Sequence, residues 1–110
     1  MLITTTDWIQ GKRIVKTLGL VRGNTIRCRH LGNDIMARLK NLVGGEISDY
    51  TKLMAESREQ AIDRMIEHAR QLGANAVIQA RFSTSEVMSC ASEILAYGTA
   101  VVVEDEEGGD

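Results

Sequence analysis

The stretch "ILAYGTAVVV", Ile94 to Val103, decides how the rest of the chain is read. It carries no charge and no helical period, and its small and β-branched residues mark it as a strand. Alternation then divides it into two sides. Ile94, Ala96, Gly98, Ala100 and Val102 lie on one, and Leu95, Tyr97, Thr99, Val101 and Val103 on the other. An antiparallel strand with one wet side alternates apolar with polar, whereas this one is apolar on both. Four or five such side chains left in water forgo about 6–12 kcal/mol, the size of a whole domain's stability. A chain of 110 residues has too little material to cover both sides, so a second copy is expected to supply the missing cover. The small side of the strand (Ala96, Gly98, Ala100) also permits close approach of a neighbouring backbone.

Working outward, Asn75 to about Val87, "NAVIQARFSTSEV", reads as a strand with Ala76, Ile78, Ala80 and Phe82 on one face and Val77, Gln79, Arg81 and Ser83 on the other. The link to the last strand is too short for a crossover helix, so the two should be antiparallel. Before them, "SDYTKLMAESREQAIDRMIEHARQLG" has a helical period, with Met54, Ala61, Ile62, Met65, Ala69 and Leu72 in its apolar stripe and Ile66 beside them. Ser48 or Asp49 caps its start and Gly73 closes it. An earlier helix is expected in "GNDIMARLKNLVGG", where Ile35, Leu39, Leu42 and Val43 share a face and Gly44-Gly45 ends it. On that reading "NLVGGEISDY" (Asn41 to Tyr50) is an interhelix turn. The front of the chain offers a short strand in "LITTT" and a β region from Arg13 to His30. Within that region Gly23-Asn24 is either a hairpin turn or a bulge in one long bent strand. The expected architecture is therefore α+β: a two-layer sandwich, an antiparallel sheet with two helices on one face.

Composition narrows the function classes. Aromatic residues are 4% of the chain, which nearly excludes base-stacking platforms and argues against nucleic acid as a partner. Five of the 15 acids fall in the last seven residues, "EDEEGGD", so residues 104–110 are expected to be a disordered acidic tail beside a single domain over 1–103. Two cysteines are no disulfide framework, no apolar run is long enough for a membrane span, and a soluble cytoplasmic protein with reduced thiols is expected.

Five stretches can be matched to something known. "ITTT", "VGGE" (Val43 to Glu46), "LGANAV" (Leu72 to Val77), "RFSTS" (Arg81 to Ser85) and "EILAYGTAV" (Glu93 to Val101) resemble the YbjQ-like family, often labelled a putative heavy-metal-binding domain. The resemblance spans about Ile3 to Val103 and implies a dodecin-like subunit assembled as a ring-shaped homopentamer. The label implies a divalent metal as cofactor. Where the family more usually has the glycine-containing "VVGV", this chain has "VIQA", so Gln79 is a departure.

Three kinds of site compete. Cys28-x-His30 puts a thiolate and an imidazole on the same side of a strand, and Cys90 can add to them, although a closed zinc site takes four ligands. Lys12, Arg13, Lys16, Arg22, Arg27 and Arg29 lie in a stretch without acids, and a ring would repeat them into a basic belt for phosphate or nucleic-acid backbone. The polar residues in or beside the family motifs, Glu46, Tyr50, Arg81, Ser83, Ser85, Glu93 and Tyr97, are the candidate ligand pocket. No catalytic residues stand out. Asp63 and Glu67 occupy a solvated helix face, Ser83-Thr84-Ser85 lacks a nucleophile elbow, and the glycine pair lacks the lysine and hydroxyl of a phosphate loop. The leading expectation is a non-enzymatic, ring-forming homo-oligomeric binding or scaffold protein that takes a metal or small ligand. Anion binding by the basic belt is the alternative, and an enzyme is third.

Overall fold

Residues 1–28, 45–88 and 91–107 are described in the computed structural model of the chain. They form β1 (Leu2–Ile3), β2 (Lys12–Cys28), α1 (Gly45–Gln71), β3 (Ala76–Met88) and β4 (Ala91–Asp105). The four strands make one sheet in the order β1-β3-β4-β2, and α1 packs on one of its faces. The architecture is α+β in two layers, as expected, but the sheet is mixed rather than antiparallel. β4 is antiparallel to both neighbours, whereas β1 runs parallel to β3, with Leu2 opposite Ala76 and Ile3 opposite Val77. The reason is the connection. β1 reaches β3 through a crossover that contains β2 and α1, not through a hairpin.

The expected first helix, over residues 33–43, lies outside the described residues, so α1 is the one helix among them. It begins at Gly45, a turn before the expected cap at Ser48 or Asp49. Gly45 to Tyr50 are therefore helical, which corrects the reading of "NLVGGEISDY" as a turn. Glycine is tolerated just before a helix as well as just after one, so a glycine pair alone does not separate a stop from a start. At the other end Gly73 does close the helix, with φ 86° and its N–H bonded to the Arg70 carbonyl at 2.9 Å.

α1 buries Ser57, Ala61, Met65 and Ala69, every fourth residue, against Val21, Val77, Ile94, Ala96 and Ala100 of the sheet. The approach is close. A Cβ on Gly23 would lie 2.2 Å from the Ala61 carbonyl oxygen and 2.3 Å from the Met65 nitrogen. Gly23 is thus a packing glycine and not a turn. β2 runs unbroken through Gly23 and Asn24, opposite Ala96 and Leu95, and its register shifts lie elsewhere, between Ile14 and Lys16 and between Thr17 and Gly19. Of the expected stripe, Leu72 stays exposed, and the buried Ser57 is the position that apolar periodicity passed over. Its hydroxyl donates to the Leu53 carbonyl at 2.8 Å and accepts from Arg27 Nε, whose Nη2 also donates to Gln60 Oε1 at 2.7 Å. A buried hydroxyl so satisfied costs little and fixes the helix on β2.

The second face of β4 is not left wholly bare. Ile9 packs on Ala76, Ile78, Val101 and Val103, so the chain's own N-terminal segment covers one end of it. This corrects the expectation that only another copy would do so. Leu95, Tyr97 and Thr99 are half-buried. β4 also continues past Val103: Glu104 and Asp105, assigned to the tail by composition, are strand residues opposite Arg13 and Lys12.

Candidate functional site

The site begins with a break in alternation. Ile78 pairs with Thr99 and Arg81 with Tyr97, so Gln79 and Ala80 together oppose Gly98. Gln79 takes φ 53°, a left-handed conformation that costs a side-chain-bearing residue energy. The two N–H groups freed by the bulge are caught by the N-terminal segment, Gln79 bonding to the Thr6 carbonyl and Ala80 to the Thr4 carbonyl, both at 2.9 Å. Gly98 makes room, since a Cβ there would lie 2.6 Å from Val77 Cγ1. Arg81 Nη1 donates to the Thr5 carbonyl at 2.9 Å. The "ITTT", "RFSTS" and "AYGTA" stretches therefore meet at one place.

Beyond the bulge the faces exchange. Ala80 packs with the helix-side core that holds Val77, and Phe82 pairs with the buried Ala96 of that core, so neither shares a face with Ile78 as simple alternation had it. Arg81, Ser83 and Ser85 turn to the open face. There the register lays out three adjacent rows across β2, β4 and β3: Arg22–Tyr97–Arg81, Asn24–Leu95–Ser83 and Ile26–Glu93–Ser85. Side chains opposite one another in such rows are contact neighbours. Asn24 Nδ2 donates to Glu93 Oε2 at 3.0 Å. Five of the candidate pocket residues, Arg81, Ser83, Ser85, Glu93 and Tyr97, thus occupy one patch on the face away from α1. Glu46 and Tyr50 belong to the first turns of α1, an element of the opposite layer. Arg22 and Asn24 join the patch without having been marked by sequence, because cross-strand register over some 70 residues leaves no local signal.

Chemically the patch is a shallow hydrogen-bonding surface with two guanidinium groups, a phenol, two hydroxyls, an amide and one carboxylate. It suits recognition of a polar or anionic group. It holds no nucleophile beside a base.

The metal candidates fare differently. Cys28 ends β2 opposite Ala91, the residue next in sequence to Cys90. His30 and Cys90 lie outside the described residues. Among the described residues no three His, Cys, Asp or Glu side chains come together as metal ligands. The other histidine, His68, accepts the Arg22 backbone N–H on Nδ1 at 3.2 Å. The basic belt is largely spoken for. Lys12 pairs with Asp105, Arg13 with Glu104 at 3.4 Å, and Arg27 belongs to the Ser57 seam. The Lys12 ammonium, by hydrogen bond and then by charge, holds the Asp105 carboxyl below its ordinary value. Lys16 and Arg22 remain, and Arg29 lies outside the described residues.

Comparison with known proteins follows the same lines. The family described as putative heavy-metal-binding, YbjQ, matches residues 1–104. The chain is 57% identical over 103 residues to a UPF0145 protein of Methanosarcina acetivorans, covering 94% of this chain and 97% of that one. A UPF0145 protein of Clostridioides difficile is 58% identical over 106 residues, covering 96% and 95%. The chain belongs to this YbjQ (UPF0145) family. In fold it resembles the crystal structure of a protein of unknown function of the DUF74 family from Pediococcus pentosaceus, with a TM-score of 0.62, 18% identity and coverage of 94% and 98%. Among the described residues no helix is long and apolar enough to cross a membrane.

Proposed function

We propose that the chain is the subunit of a ring-shaped homo-oligomer, a pentamer on the family resemblance, that binds a small ligand or metal ion in the cytoplasm and turns nothing over. The observation that carries this reading is apolar surface left on the sheet: Leu20 is 63% exposed and Ile26 57% exposed, both on the open face beside the polar patch. Exposed apolar side chains on a face that also carries converging polar groups favour a contact between copies with a site at or near the seam. Native mass spectrometry of untagged protein tests it, with a multiple of the 12.1 kDa chain and any retained ligand reported in one spectrum. A single-chain mass at working concentration refutes the reading.

Metal is the sharper form, supported by the family's description and by Cys28, with His30 and Cys90 as its further ligands. Thiolate and imidazole donors suit zinc or a softer cation. Elemental analysis of untagged protein, with Cys28→Ser and Cys90→Ser variants as controls, decides it, and stoichiometric metal lost in both variants is expected. The second reading, an anion held by the Arg22–Tyr97–Arg81 row, is favoured by the pairing of Lys12 and Arg13 with acids, which leaves this row as the basic surface. Binding of inorganic phosphate that weakens in Arg22→Ala would support it.

A further inference from the structure

The two edges of the sheet are built differently. On β2, the outer edge, the Arg22 N–H is taken by His68 Nδ1 and the Asn24 carbonyl by Arg64 Nη1, both from α1. The rest of that edge carries Lys12, Arg13 and Lys16 and two register shifts. Charges, bulges and a covering helix are the usual ways of keeping an edge from pairing. The other edge has none of these over most of its length. β1 covers β3 only at Ala76 and Val77, and the N-terminal segment reaches as far as Ala80. From Arg81 to Val87, "RFSTSEV", no strand among the described residues pairs with the outer side of β3, and every residue is exposed. The stretch holds no lysine and no proline, and its register is regular from Arg81 to Glu86. Phe82, on the helix side of the sheet, is 49% exposed.

We infer that Arg81–Val87 is an interface in which an extended segment of a second copy of this chain adds to the sheet. The occupant must continue two layers. It must satisfy the outward backbone groups of β3 and also cover Phe82 on the α1 side, and a copy with the same sheet-and-helix construction can do both. The surface area agrees. The chain exposes 7564 Å², whereas a compact chain of 12.1 kDa exposes about 6,000 Å². The excess, about 1,500 Å², is close to two standard interface halves of about 800 Å², the amount a ring member needs for its two neighbours. The radius of gyration, 18.2 Å, against about 13 Å for a compact chain of this length, has the same origin, since β3 and its partners extend beyond the layer that α1 covers.

This inference rests on the homo-oligomer reading and identifies its contact. In an isolated subunit every second amide of Arg81–Val87 faces water, so hydrogen exchange of a peptide spanning that stretch distinguishes the cases. Near-complete protection of its amides is expected in the assembled protein. A second arm uses the double variant Phe82→Lys and Thr84→Lys, both exposed in the subunit. It is expected to move the native mass to that of the single chain with an unchanged circular dichroism spectrum, whereas Leu20→Lys on the open face leaves assembly through this edge in place. If the protein is oligomeric but half of these amides exchange at the unprotected rate, or if the double variant assembles as the parent does, the edge is not the contact while the homo-oligomer stands. A monomeric parent removes both.

Discussion

Gln79 sits with φ 53°, where a side chain is strained and glycine is not. The family pattern that the chain resembles more usually has glycine here, so the departure noted in the sequence falls on the residue whose backbone most needs it. Gln79→Gly should raise stability by about 0.5–1 kcal/mol, relief of the left-handed strain being offset in part by the looser unfolded chain. Thermal unfolding measures it, and a lower midpoint would show that the Gln79 side chain repays its strain. Gly23 is the opposite case. A Cβ there meets the α1 backbone at 2.2 and 2.3 Å, atoms that cannot swing aside, so Gly23→Ala should cost about 3 kcal/mol or more as the helix lifts from β2. Asn75 is a third. Its side-chain amide bonds both the N–H and the carbonyl of Val103, at 2.8 and 2.9 Å, in place of a strand neighbour. Asn75→Ala should lose about 1–3 kcal/mol in denaturant unfolding.

At the scale of elements, β4 and α1 were legible because each carries its period within itself. The two-sided apolar pattern of Ile94 to Val103 and the stripe from Met54 to Ala69 need no partner to be seen. What was not legible depends on meetings between distant segments. The alternation of "NAVIQARF" looks continuous, and only the Thr4 and Thr6 carbonyls, over 70 residues away, reveal that it breaks at Gln79. Ile9 covers Val101 and Val103 for the same nonlocal reason. The candidate patch was half visible. Its β3 and β4 members lie in recognisable motifs, whereas Arg22 and Asn24 enter through register alone. The β2–β4 pair also carries a titration. Because Lys12 lowers the Asp105 pKa below 3.8, the ion pair supports the folded state above the ordinary carboxylate value and is lost as pH falls through the depressed one. In Lys12→Met the Asp105 carboxyl, followed by NMR, should titrate closer to 3.8. An unchanged value would mean the contact does not persist in solution.

For the whole molecule, the sheet is assembled from strands far apart in the chain. Lys12 lies opposite Asp105, and Leu2 opposite Ala76. The central strand β4, which both β2 and β3 require, is the last of these elements in sequence. A chain of this topology cannot begin its sheet as it leaves the ribosome. β2 must wait, with Leu20 and Ile26 unprotected, until β4 has been synthesised, and non-local pairing of this kind is slow and open to misassociation. The nascent protein is therefore expected to depend on chaperones during translation to a degree that its small size alone would not suggest.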